Sequence, residues 1–272
     1  MDRHLDVHDL VNDYKAKGEP FALATVVRTV SVTAAKAGAK AVIRADGSIS
    51  GGWIGGGCAR GAVLKAAREA LTDGQPRLIS VQPEDLLQDQ HVAPGELRDG
   101  VLYAKNSCPS QGTMDIFVEA VLPKPILAIL GTSPVAVAIA DLGQRMGFFT
   151  TVCAPAAEHG AFSNADRLID GFDVPCDGTE RGFIVIATQG KGDSAALRAV
   201  VETPTPYLAF VGSRKKAAVL KEALATSGVD AFHLERIRAP AGLDIGAITP
   251  DEIAFSIIAE IIEFRRRGQR TA

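Results

Sequence analysis

From Ile126 onward, short and wholly apolar runs alternate with segments of helical composition, and this alternation constrains the fold more than any other feature of the chain. The runs Ile126–Leu130, Phe148–Val152, Phe183–Thr188 and Tyr207–Gly212 are too short for helices and carry no polar face, so they predict strands buried on both sides. Between them, Pro134–Met146, Ser194–Val201 and Arg214–Ser227 predict helices. The first of these has Ser133 as N-cap, Pro134 at the first helical position and Gly147 as a stop. A last helix over Pro250–Arg267 opens on Thr249-Pro250-Asp251-Glu252, a capping box. Apolar strands alternating with helices imply a parallel sheet covered on both faces.

The pattern before Leu122-Pro123-Lys124-Pro125 is different. Residues 5–16 predict a short amphipathic helix ending at Gly18, and Phe21–Val30, Ala39–Arg44, Arg77–Val81 and Thr113–Val121 predict strands. Asp46-Gly47 supplies a hairpin turn. The glycine-dense stretch Ser50–Cys58 opens into Ala59–Leu71, whose Ala, Leu, Lys, Arg and Glu favour helix. Pro83–Ser107 shows no clean period. The expected fold class is α/β: an α+β N-terminal domain over residues 1–122 and a Rossmann-like parallel-sheet domain over 123–272.

Charge excludes one class of partner. Lys and Arg number 29 against 32 Asp and Glu, a net −3, so no global field draws nucleic acid and any phosphate binding is local. Apolar runs are too short for a membrane span, and the N-terminus has no basic and apolar leader. Cys58, Cys108, Cys153 and Cys176 form no C-x-x-C pair, which argues against a structural zinc or a disulfide framework. A soluble cytoplasmic protein with reduced thiols is expected.

Four places could carry chemistry. Gly55-Gly56-Gly57-Cys58 precedes a helix, where converging amides and the positive helix end suit an anion and lower a thiol's pKa. A tight turn with an inert cysteine is the plainer alternative. Gly131-Thr132-Ser133 stands where a dinucleotide fingerprint belongs, but Ser133 occupies the second glycine position. No acid follows at the expected ribose position, Val152–Pro155, before Glu158, so NAD(P) binding is not expected. Ser213-Arg214-Lys215 opens another helix after another strand, again anion-friendly, with a solvated first turn as the alternative. Cys108 lies in a polar turn where a thiol can reach a soft metal, whereas Cys153 and Cys176 read as core. No catalytic triad and no H-E-x-x-H is present, so no catalytic residue is expected.

Taken together, several strings resemble the XdhC/CoxI family of accessory factors for molybdenum hydroxylases such as xanthine and carbon monoxide dehydrogenases. They are Ala39–Ser48, Ile54–Val63, Cys108 with Gly112–Glu119, Gly212–Lys216, Ala239–Ala247 and Thr249–Ala254. The resemblance implies a maturation factor, a cofactor chaperone rather than a turnover enzyme. Such a factor binds the molybdenum cofactor (molybdopterin or its cytosine dinucleotide form), protects it during sulfuration and helps insert it into an apo-hydroxylase client. A cysteine desulfurase as sulfur donor and a homodimer accompany that picture. On this chain it makes Gly55, Gly56, Gly57, Cys58 and Cys108 the expected cofactor positions, with Cys108 as the molybdenum contact. Gly131, Ser133, Ser213, Arg214 and Lys215 would hold the phosphate end. The family's T-H-x-H pattern is replaced here by Thr188-Gln189-Gly190-Lys191, a departure that weakens any catalytic role for the second domain. The competing reading is an NAD(P)-dependent oxidoreductase built on that domain.

Overall fold

The computed structural model describes residues 6–109, 111–175 and 182–267, with the backbone but not the side chain of Cys58. Cys176, expected in the core, lies outside the described residues. The chain falls into two compact units, Met1–Pro123 and Lys124–Ala272.

Unit 1 contains α1 (Val7–Lys17), β1 (Phe21–Val30), β2 (Lys40–Arg44), β3 (Ile49–Gly52), α2 (Gly57–Asp73) and β4 (Arg77–Gln82). It continues with α3 (Glu84–Asp89), β5 (Leu97–Arg98), β6 (Val101–Lys105) and β7 (Thr113–Val121). One seven-stranded sheet runs β3-β2-β1-β7-β4-β6-β5. Its pairs are antiparallel except β4 with β6. Alternation along β1 sends Ala22, Ala24 and Val26 to the face covered by α2, where they join Val63, Ala66, Ala67, Ile79 and Ile116. On the other face Phe21 meets Leu10 and Tyr14 of α1. α2 starts at Gly57, two residues earlier than its composition suggests, so Gly57 and Cys58 belong to its first turn.

Unit 2 contains β8 (Ile126–Leu130), α4 (Pro134–Arg145), β9 (Phe149–Ala154), a 3-10 turn (Ala156–Ala161) and β10 (Arg167–Asp170). Then come β11 (Phe183–Ile186), α5 (Asp193–Val200), β12 (Tyr207–Phe210), α6 (Arg214–Thr226), α7 (Ala231–Glu235), β13 (Ile237–Arg238) and α8 (Pro250–Arg266). All pairs in its six-stranded sheet are parallel, in the order β10-β9-β8-β11-β12-β13. That is 3-2-1-4-5-6 in chain order, the order of dinucleotide-binding sheets. Leu127, Ile129, Val152 and Val185 face α4 and α8, while Ala128, Leu130, Ile184 and Ile186 face α5 and α6. Each fully buried Leu or Ile contributes roughly 1.5–3 kcal/mol, so the strand residues hold both helical layers. The expected parallel sheet with two covered faces is present, together with a Rossmann-like topology.

Candidate functional site

In unit 1 the glycine turn is fixed at both ends and open in the middle. Gly52 has φ +85, and a Cβ there would lie 2.1 Å from the Lys40 carbonyl oxygen, so the end of β3 admits only glycine. Ile54 and Ala59 are buried on either side of the turn. Gly55 has φ +110 and abuts the Met114 thioether, 3.1 Å from where its Cβ would be. Gly56 and Gly57 have open space in place of a side chain. Gly56 is the N-cap of α2 in extended conformation, with no side chain capping the helix and no acid in the first turn. The first amides of α2 therefore lack the side-chain acceptor that N-caps usually supply.

Cys108 lies in the loop that leads into β7. Asn106 organises its loop: Nδ2 donates to the Gly112 carbonyl at 2.6 Å, and Oδ1 accepts from the Cys108 amide at 2.9 Å. The Gln111 amide donates to the Cys108 carbonyl, 3.0 Å. Gly112 packs so closely that a Cβ would fall 2.2 Å from the Val32 carbonyl oxygen. The Cys108 residue itself is exposed. Thus the Cys108 loop ends where β7 starts, one residue from the Met114 against which Gly55 rests. Cys58 is the second residue of α2, and its thiol lies outside the described residues. Cys153 is buried, in keeping with its reading as core, and burial pushes its thiol up to about 12 with a smaller push from Asp173.

In unit 2 the candidates lie on the carboxyl edge of the parallel sheet. Gly131 follows β8 with φ +108, and a Cβ would fall 2.7 Å from Thr188 Cα. Ser133 is buried and its hydroxyl accepts from the Ala136 amide at 3.2 Å, capping α4. The Ser213 hydroxyl likewise accepts from the Lys216 amide at 3.2 Å and caps α6. Arg214 and Lys215 are exposed on the first turn. β11 lies between β8 and β12, so the Gly131 and Ser213 turns stand about 10 Å apart, two strand spacings. The two Ser hydroxyls therefore serve their own helices.

Two groups here escape a reading based on spacing. Glu158 comes too late in sequence for the ribose acid, yet the 3-10 turn carries it back so that its carboxylate accepts from the Thr132 hydroxyl. Asp193, at the first position of α5, is buried and accepts from the Thr188 hydroxyl, the Gly190 amide at 2.9 Å and Lys216 Nζ. Burial opposes its charge, but the Lys216, Thr188 and Gly190 donors together hold its carboxyl below the usual range. An acid at a helix start is the one sequence signal that could have found it. A cavity of about 710 Å³ also lies in this unit, where Arg214 lines it with the loop Ala239–Ala247. Among the described residues no group of three or more His, Cys, Asp or Glu could hold a metal ion, and no helix is long and apolar enough to cross a membrane.

Comparison with known proteins gives two family matches. The model of the XdhC and CoxI family matches residues 15–82, and the model of the XdhC Rossmann domain matches residues 127–261. Gly55–Cys58 fall within the first match and Cys108 between the two. The uncharacterized protein YqeB of Escherichia coli (strain K12) is 30% identical over 261 residues, 92% of this chain and 44% of that one. A probable xanthine dehydrogenase subunit of Bacillus subtilis (strain 168) is 31% identical over 163 residues, 57% of this chain and 47% of that one. The chain thus spans about half the length of the curated relatives it matches. A crystal structure of a xanthine dehydrogenase from Bacillus halodurans aligns over 96% of both chains, at 19% identity and a TM-score of 0.47.

Proposed function

The chain belongs to the XdhC and CoxI family, and from that premise we propose that it is a maturation factor for a molybdenum hydroxylase of the xanthine dehydrogenase class. Its cargo is the molybdenum cofactor, which it binds, shields and delivers to the apo-hydroxylase. The observation that carries this reading is the start of α2, an exposed glycine turn without a capping side chain, inside the family-matched segment. Amides so placed suit the phosphate of the cargo. Cys108, an exposed residue in the loop before β7, carries a thiol of the soft type that suits molybdenum or its sulfur ligands. Sulfuration while the cargo is held would draw on a cysteine desulfurase as donor. Carbon monoxide dehydrogenase is an equally suitable client class on these grounds.

The test is to purify the full chain from a host that makes the cofactor. Molybdenum by mass spectrometry and pterin by fluorescence after oxidation should both be present and in equal amounts. The loaded protein should activate an apo-hydroxylase, and Cys108→Ala should lower retained molybdenum severalfold while leaving the melting temperature unchanged. A protein free of pterin that activates no client would overturn the reading.

The strand order of unit 2 favours a second reading, an NAD(P)-dependent oxidoreductase. Against it, Ser133 stands in the second glycine position and Glu158, the nearest acid, already accepts from Thr132. Tight stoichiometric NADH binding by calorimetry would decide for it.

A further inference from the structure

The 710 Å³ cavity of unit 2 falls within the range of about 300–1,000 Å³ that encloses small molecules. It opens at the carboxyl ends of β12 and β13, the side on which open parallel sheets hold ligands. One wall is the loop Ala239–Ala247, and the structure fixes the base of that loop in advance. The Ala241 amide donates to the Phe210 carbonyl at 3.1 Å, and the Leu243 amide to the Ser256 carbonyl at 3.2 Å. The Gly242 amide donates to Glu260 Oε2 at 2.9 Å, and the same carboxylate accepts from Tyr207 Oη and pairs with Arg238. Gly242 has φ +94, and a Cβ there would lie 2.3 Å from Ser256 Oγ, so the loop sits hard against α8. A cavity whose wall is pinned in this way needs little ordering to receive a ligand.

The lining has three chemical parts. Val211, Leu243, Ile245 and Ile253 are apolar, and Leu243 and Ile245 stay exposed although the loop beneath them is packed. Arg214 brings a guanidinium, whose planar fork of donors matches a phosphate. Asp244 brings a carboxylate, which accepts from N–H groups. Neither charge has an ion-pair or hydrogen-bond partner among the described residues, so the fold itself uses neither. Apolar walls, one cation and one acceptor together complement a flat N–H-bearing ring joined to a phosphate.

We infer that this cavity is a binding site for a nucleoside monophosphate, its phosphate on Arg214, its base between the apolar walls and a base N–H on Asp244. The site lies on unit 2 and does not require that the chain carry the molybdenum cofactor. The test is calorimetric titration of the full chain with AMP, GMP and CMP, with the matching nucleosides and inorganic phosphate as separate arms. At least one monophosphate should bind more tightly than both its nucleoside and phosphate. Arg214→Gln should weaken that binding tenfold or more, and Asp244→Asn should change the order of preference among the bases. Both side chains are exposed and neither is paired among the described residues, so the variants should melt with the parent. The inference falls if none of the three binds at millimolar concentration, if inorganic phosphate alone binds as well, or if both variants bind as the parent does.

Discussion

At Gly55 and at Gly131 the chain turns into a helix through a glycine of nearly the same backbone angle, φ +110 in unit 1 and φ +108 in unit 2. The helices they open are capped differently. Beyond Gly131 the Ser133 hydroxyl caps α4, whereas beyond Gly55 the N-cap of α2 is itself a glycine with nothing to offer. The surroundings differ as well: Gly131 is pressed against the backbone that leaves β11, while Gly55 rests on the movable end of a methionine. A glycine-rich turn before a helix is therefore not one motif. In unit 2 it closes the packing between two strands and the helix is self-sufficient; in unit 1 it leaves the first helical amides without a side-chain acceptor.

The contrast predicts unequal costs for one substitution. Gly131→Ala should destabilise unit 2 by about 3 kcal/mol or more, because left-handed strain adds to a backbone clash that cannot relax. Gly55→Ala carries the same strain but meets only the Met114 methyl, so about 1–2 kcal/mol is expected. Chemical denaturation of the two variants measures both. Equal losses would break the comparison at its root.

Next in size is Asp193→Asn, expected to cost about 1.5–3 kcal/mol at pH 7, the worth of hydrogen bonds to a buried charge. Lys216 is partly exposed, which keeps the ion pair itself from adding much. The pH dependence has a fixed sign. The folded carboxyl titrates below its ordinary 3.8, so its contribution is complete above that value and is lost as pH falls through the folded one. Parent and variant should therefore converge in acid below pH 4, by melting temperature against pH, and a gap that widened in acid would contradict the assignment.

Legibility in the sequence follows period and length. Phe21–Val30, Thr113–Val121 and Ile126–Leu130 occur as strands with the bounds their patterns predict, since each is a long alternation or a closed apolar run. Pro83–Ser107 resists reading because it holds six-residue α3, two-residue β5 and β6, whose partner β4 lies parallel across a connection. Arg167–Asp170 is an edge strand, mostly exposed, so it lacks an apolar run to betray it. At the sites, composition locates the turns but not their use. Ser133 reads equally as a fingerprint substitution and as a cap, and only its bond to Ala136 tells which the helix needs. Counting residues misplaces Glu158, because a 3-10 turn brings back what an extended chain would carry away. The string Ala239–Ala247 marks the family resemblance, but it has neither period nor charge clusters, so nothing in it betrays a cavity wall.

Caps sharpen the comparison at smaller energies. Ser133→Ala should cost about 1 kcal/mol, the usual worth of an N-cap hydroxyl, and Ser213→Ala a similar amount. Both losses should appear in denaturation midpoints with no change in molybdenum content, if the cargo's phosphate is held at α2 and not at these turns.

The smallest expected change in stability carries the most information about function. Gly56 has φ −79 and ψ −170, extended backbone that serine adopts freely, and a Cβ there meets no atom within 4 Å. Gly56→Ser would give α2 the cap that α4 already has, and should raise stability by only a few tenths of a kcal/mol. Its hydroxyl would then occupy the amides on which the proposed phosphate contact depends. Retained molybdenum and pterin should fall severalfold in a protein that melts no lower than the parent. Gly57→Ala is the control, since it adds a methyl group in the same open space but leaves the amides uncapped. It should keep its cargo. If Gly56→Ser keeps its cargo as well, the uncapped turn is a folding detail and the phosphate contact belongs elsewhere. If only the serine variant loses it, the difference between the two glycine turns is the difference between a helix that caps itself and one that waits for an anion.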